Sequence, residues 1–188
     1  KAFLHLRPSY ELITNIDWDH PDCYPSFGEV IKTFTDFVRL LPKDGVLFVW
    51  GDDPNALALK CNFSGKTVTF GYRQEFDWFA TDIEPVQPLG IKAALYYHGK
   101  FQGELRLKVP GKHNLQNALG ALAIAHEVGI DLTTGFETLA SVTGVQHRFE
   151  IKGYYQGALV VDDYAHHPSA VRNTLAAARN YFKGRIWC

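Results

Sequence analysis

Two carboxylates, a phenol and two imidazoles crowd into the run Val160-Val161-Asp162-Asp163-Tyr164-Ala165-His166-His167-Pro168. Acids and imidazoles this close together can exchange protons, hold a cation or grip a polar ligand. The flanking residues predict how they are presented. Residues 158–161 are apolar and β-prone, as expected of a buried strand in an α/β sheet. Pro168 suits the first turn of a helix, and Val171, Leu175 and Ala178 then recur at helical spacing. The polar groups therefore fall at the carboxyl end of a strand, where open α/β sheets bind their ligands. A lone Asp or His here would more often be part of a capped, solvated turn. Five polar groups in one turn shift the balance towards a site.

A second cluster has the same placement. Glu11-Leu12-Ile13-Thr14-Asn15-Ile16 reads as a buried strand, and Asp17-Trp18-Asp19-His20-Pro21-Asp22 follows at its carboxyl end. Three carboxylates around one imidazole suit a hard divalent cation, with His20 as the nitrogen ligand. A polar turn with an Asp–His hydrogen bond explains the same residues equally well.

The third stretch is Val109-Pro110-Gly111-Lys112-His113-Asn114-Leu115-Gln116-Asn117-Ala118. Leu115, Ala118, Leu119, Leu122 and Ala123 form an apolar helical stripe. Asn114 and Asn117, three apart, share a face of its first turn. A carboxamide offers a donor and an acceptor, as does the edge of an adenine, and a helix start adds free N–H groups. Simple capping by Asn114 is the competing explanation. Arg148 stands at a junction where the architecture restarts, placed to reach a phosphate from a hinge. Ser64-Gly65-Lys66-Thr67 ends like a phosphate-binding loop, but Lys60 occupies the required glycine position and a strand follows where a helix is needed. It reads as a hairpin turn.

Positioning these groups calls for an α/β scaffold. A helix from Phe27 carries Val30, Phe34, Phe37, Val38 and Leu41 and is closed by Pro42. Val46-Leu47-Phe48-Val49-Trp50 is the next strand, and Gly51-Asp52-Asp53-Pro54-Asn55 turns into a short helix. From 67 to 109 the pattern changes to β-prone runs at 67–72, 78–83, 91–97 and 104–109, with a tight turn at Tyr97-His98-Gly99-Lys100, indicating a small antiparallel subsheet. A helix over 133–142 follows, then strand, Gly157 turn, strand, the opening cluster, helix and a final strand.

The chain has 188 residues, enough for one large domain or parts of two. A net charge of −1 gives no sign of a polyanion-binding surface. Cys23, Cys61 and Cys188 lack metal-ligand spacing, as in a reducing compartment. With no apolar run of transmembrane length and no signal peptide, the expected location is cytoplasmic. The chain opens on Lys1-Ala2-Phe3 and stops at Ile186-Trp187-Cys188, which reads as a piece of a longer enzyme.

Taken in order, Thr14-Asn15-Ile16 with Asp19-His20, Gly111-Lys112-His113-Asn114 with Asn117-Ala118, His147-Arg148-Phe149-Glu150, and Asp162 to Pro168 resemble the motifs of the Mur ligases. These are ATP-dependent amide-forming enzymes of peptidoglycan precursor synthesis. The doubled acid with His-His-Pro is most similar to the branch that joins L-alanine to UDP-N-acetylmuramate. A sister ligase that attaches a preformed peptide to the same nucleotide sugar is the near alternative. The resemblance implies a mostly parallel-sheet ATP-binding domain with a small antiparallel subsheet, followed by the start of a Rossmann-like α/β domain. Residues 1–147 would be the later part of the central domain, without its P-loop portion, and 148–188 the start of the ligase domain. ATP and Mg2+ are the implied cofactors, with UDP-N-acetylmuramate and L-alanine as substrates and no nucleic-acid or membrane partner. By position, His20 would bind magnesium, and Asn114 and Asn117 would hold adenine with His113 beside them. Arg148 would touch the ATP phosphates and Asp163 the ribose, from the far side of a cleft; His20 and Arg148 are the expected catalytic groups. No role is implied for His166 or His167. The family's P-loop lysine and its magnesium-sharing glutamate have no counterpart in these residues. Thr35 stands where some sister enzymes have a carbamylated lysine. A metal-dependent hydrolase, with Asp19-His20 and Asp163 with His166-His167 sharing metal, is the rival from another class.

Overall fold

A computed structural model describes residues 2–188. Six strands, β1 (Tyr10–Ile13), β2 (Val46–Trp50), β3 (Lys66–Gly71), β4 (Trp78–Pro85), β5 (Ile91–Tyr97) and β6 (Lys100–Leu107), form one sheet in sequence order. Pairing is parallel from β1 to β4 and antiparallel from β4 to β6, so the antiparallel part is attached to the parallel one as a continuation of the same sheet. Helices cover both faces, as parallel strands require. The alternation in β2 divides the core: Leu47 and Val49 face α1 (Phe27–Val38) and α2 (Pro54–Ala58), while Val46, Phe48 and Trp50 face α3 (Lys112–Glu127). Helix α4 (Leu132–Ser141) packs beside α3 and over β6. Each helix start has a local cause. Ser26 accepts from the Glu29 N–H, Asp53 from Asn55 ahead of Pro54, and Asp131 from Thr134, each satisfying a donor that a first turn leaves free.

Three expectations need correction in this lobe. Strand β1 stops at Ile13, because the Ile16 N–H turns away to Asp53 Oδ2 at 2.7 Å. Residues 64–67 are not a hairpin: β2 and β3 run parallel, joined through α2 and a 3-10 turn at Leu59–Asn62, and Lys66 opens β3. Its ammonium lies 2.6 Å from Glu127 at the end of α3, an ion pair and not a phosphate cradle. Asn114 is not the cap of α3 either. Gly111 caps it at φ 97, a conformation that suits glycine, and Asn114 donates its Nδ2 back to the Pro110 carbonyl at 2.7 Å.

The β3–β4 join is unusually short for parallel strands, which normally need a crossover of a dozen residues or more. It works because only Phe70↔Trp78 and Gly71↔Phe79 pair, so β4 begins where β3 ends. Phe76, 5% exposed, fills the bend. Its ring lies where a Cβ on Gly51 or Gly71 would have to be, within 2.2–2.6 Å. Asp77 accepts from the Thr69 N–H and hydroxyl, and Asp52 from the Tyr72 N–H, so the bend's polar backbone is satisfied.

A linker leads to the second lobe, a hairpin of β7 (Glu150–Tyr155) and β8 (Ala158–Asp162) followed by α5 (Pro168–Tyr181). Two expectations fail here. Strand β8 is not buried, and residues 186–188 form no strand. An isolated pair of strands has no second layer to cover its apolar side chains, and a terminal strand needs a neighbouring edge to pair with. Only Phe149 and Ala177 are buried in this lobe.

Candidate functional site

The ends of β1 and β2, the start of α3, the linker and the start of α5 surround a cleft of about 840 Å³. Strand geometry delivers the first wall. Beyond β1, Thr14, Asn15, Asp17 and Asp19 line the cleft. Gln116 of α3 donates Nε2 to the Thr14 carbonyl at 2.5 Å, and Asp53 receives Ile16 N–H with one oxygen and Asn55 N–H with the other. One carboxylate thus fixes the exit of β1 to the start of α2.

Helix α3 supplies the second wall through His113, Asn114, Gln116 and Asn117. Its apolar stripe is buried as the spacing predicted, so the amides one turn in are forced towards the cleft. Burial pushes the His113 pKa down; Asp163 opposes that shift and Arg148 adds to it, so the imidazole stays neutral. Tyr72, whose hydroxyl donates to the Lys112 carbonyl at 2.7 Å, closes the back of the helix start, and burial raises its pKa.

From the other lobe come Arg148, Asp163, His167, Ser169, Asn173 and Thr174. Asp163 organises its own loop: its carboxylate accepts from Phe149 N–H at 2.9 Å and Ala165 N–H at 2.8 Å. The linker is drawn tight by His147 and Phe149, both at positive φ, and by the Tyr164 N–H donating to the His147 carbonyl.

His113, Asn114, Asn117, Arg148 and Asp163 therefore share one cleft, although they come from separate stretches of sequence. His20 does not line it. It stands beside the rim at φ 54, exposed, with Nε2 3.7 Å from Asp19 Oδ2. Asp19, which does line the cleft, is held below the usual carboxylate range first by the His20 N–H and then by the imidazoles of His20, His167 and His166. An ionised carboxylate beside an imidazole is a suitable donor set for a divalent cation. His166 turns to the Tyr164 carbonyl at 2.9 Å, and His167 caps α5.

Sequence reasoning passed over Asp53, Gln116, Ser169, Asn173 and Thr174. Asp53 carried a signal, an Asp directly before a helix-starting Pro. Ser169 carried none, since its partner Asp17 is remote in sequence. Among the described residues, the one group of three or more acids and histidines within metal-ligand reach of one another is His147, Glu150 and Asp162. Lys152 already neutralises it, 2.8 Å from Glu150 and 3.6 Å from Asp162. The shared metal cluster that a hydrolase would need is not among the described residues.

Residues 2–125 match the Mur ligase middle domain, and residues 147–188 match the Mur ligase, glutamate ligase domain. The UDP-N-acetylmuramate–L-alanine ligase of Desulfitobacterium hafniense is 39% identical over 185 residues, covering 98% of this chain and 40% of the relative. A solved UDP-N-acetylmuramate–alanine ligase from Thermotoga maritima superposes with a TM-score of 0.79 at 32% identity, covering 96% of this chain and 40% of the other. MurF from Acinetobacter baumannii gives a TM-score of 0.83 at 23% identity, over 95% of this chain and 39% of that one, a likeness of fold alone. The chain spans about 40% of the length of the curated relatives it matches.

Proposed function

The chain belongs to the Mur ligase family, and from that premise we propose that it forms the nucleotide-gripping cleft of an ATP-dependent ligase joining L-alanine to UDP-N-acetylmuramate. One observation carries the reading. The paired amides of α3, Arg148 and Asp163 converge on a single cleft large enough for a nucleotide. Asn114 and Asn117 would read the adenine edge, with the neutral ring of His113 alongside. Arg148 would meet phosphate charge from the linker. Asp163 keeps lone pairs free for a ribose hydroxyl while its loop bonds fix its direction. Walls drawn from both lobes would exclude water from an acyl phosphate, the activated form that an amine attacks in amide ligation. A magnesium ion would neutralise phosphate charge, with His20 and Asp19 the residues to hold it. A domain boundary at 147–148 would suit this division of labour, since Arg148, on the linker, lines the cleft that the first lobe floors.

The test is ATP-dependent phosphate release by the complete protein with UDP-N-acetylmuramate and L-alanine. Coupling of a preformed peptide in place of L-alanine would move the assignment to the recycling branch. His20→Ala should lower kcat by orders of magnitude and leave the melting temperature nearly unchanged, because an exposed turn residue contributes little packing. Near-normal turnover of that variant would return His20 to a surface role.

A further inference from the structure

Helix α5 touches the first lobe along its length. At its amino end Ser169 Oγ donates to Asp17 Oδ2 at 2.6 Å, and His167 Nε2 lies 3.0 Å from the Trp18 carbonyl. Midway, Ala177 packs over Gly111, and at the carboxyl end the Tyr181 hydroxyl donates to the Gly90 carbonyl. The amino-end contact fixes the His167 tautomer. A carbonyl only accepts, so Nε2 carries the proton, and Nδ1 is left to accept the Ser169 N–H at 3.4 Å. The same contact lands on the loop that leads to His20. There Asp17 Oδ1 accepts from Trp18 N–H and Asp19 Oδ1 from His20 N–H, so each carboxylate shapes the backbone one residue on. His20 sits at φ 54, a left-handed conformation that a non-glycine residue keeps only when its surroundings enforce it.

We propose that Asp17 is a positioning residue. Bonded to Ser169, while the Trp18 carbonyl beside it takes the His167 Nε2–H, it ties the loop bearing Asp19 and His20 to α5, so that this loop takes its working shape only when the second lobe is closed. The inference rests on the metal-ligand reading of His20 given above. Asp17 and Ser169 perform no chemistry in it. Their bond is lost once the lobes part, so it reports closure directly to the metal-binding loop.

In the complete protein, Ser169→Ala should speed amide hydrogen exchange across residues 17–24 roughly 10-fold, the scale of losing one hydrogen bond to a charged acceptor. The same variant should raise the Mg2+ concentration for half-maximal turnover by a similar factor, with the KM for L-alanine unchanged. Ser169→Thr, which keeps the hydroxyl, should behave as the unaltered protein. Asp17→Ala, which also loses the Trp18 N–H contact, should have at least the effect of Ser169→Ala, and the double variant should be no worse than Asp17→Ala alone. Unchanged loop exchange in Ser169→Ala, or effects that multiply in the double variant, would overturn the proposal. If the unaltered protein does not couple L-alanine, the functional reading falls, and the exchange comparison still decides the positioning contact.

Discussion

Glu11 lies 2% exposed on β1 with neither carboxyl oxygen hydrogen-bonded, and burial pushes its pKa up to about 7. The folded state therefore holds this proton more tightly than the unfolded chain, where the group titrates near 4.5. Its contribution to stability is intact below pH 4.5, falls as pH rises towards 7, and is flat above that. The loss is at most about 3 kcal/mol by linkage. Urea unfolding of the unaltered chain and of Glu11→Leu at pH 5 and pH 8 should show the variant's advantage growing at the higher pH; an advantage equal at both would show that Glu11 does not titrate there. The paired asparagines differ in a way that helical spacing alone does not reveal. Asn117→Ala should raise the KM for ATP, removing about 1–3 kcal/mol of binding, at unchanged stability. Asn114→Ala should in addition destabilise the fold by about 0.5–1.5 kcal/mol, since its amide also holds the Pro110 carbonyl. Unaltered nucleotide affinity in both variants would remove the adenine assignment. The amides were legible in the sequence because an i, i+3 pair must share a helix face. The second bond of Asn114, like the reach of Ser169 to Asp17, depends on where the chain returns in space, and no local pattern encodes that.

Element boundaries read well at the start of α1 at Phe27 and at the turn at His98-Gly99, while α1 stops at Val38, before Leu41 and the Pro42 that was read as closing it. They misled where short apolar runs could be paired in more than one way. The strand after Lys66 read as part of the antiparallel subsheet, whereas it pairs in parallel with β2, because turn residues punctuate both parallel and antiparallel joins. The deciding device was the close fit of Phe76 over Gly51 and Gly71, a contact across sequence. Gly71→Ala should therefore destabilise the fold by about 1–3 kcal/mol, by forcing the Phe76 ring and the Asp52 carboxylate aside. The combined Gly71→Ala and Phe76→Ala variant should lose less than the sum of the two single changes, since removing the Phe76 ring clears the space that the new methyl group would otherwise meet. Full additivity in chemical denaturation would mean that the ring moves away freely. Strand β8 is the opposite case: its composition is that of a core strand, yet in residues 1–188 its side chains are half-buried or exposed.

The restart of the strand pattern after 144 was visible in the sequence, and β7 and β8 form a sheet of their own, with Asp163, just past β8, lining the same cleft as Asn114 and Asn117. The contact of α5 with the first lobe at both of its ends was not visible, because Tyr181 and Ser169 are ordinary helix residues by type. Purified residues 1–188 should not turn over ATP, because phosphoryl transfer needs a phosphate-cradling loop and none occurs in this sequence. Measurable coupling of L-alanine by that chain would reject this. With only Phe149 and Ala177 buried, the hairpin and α5 have almost no interior of their own. Most of what orders them is the surface of the first lobe, so the two should melt as one cooperative unit and give a single calorimetric peak. Proteolytic nicking between Val142 and Val145, where the linker is exposed, should then release a peptide that loses its helix. In residues 1–188, a change that merely loosens the cleft would in this way register as lost heat stability of the hairpin and α5.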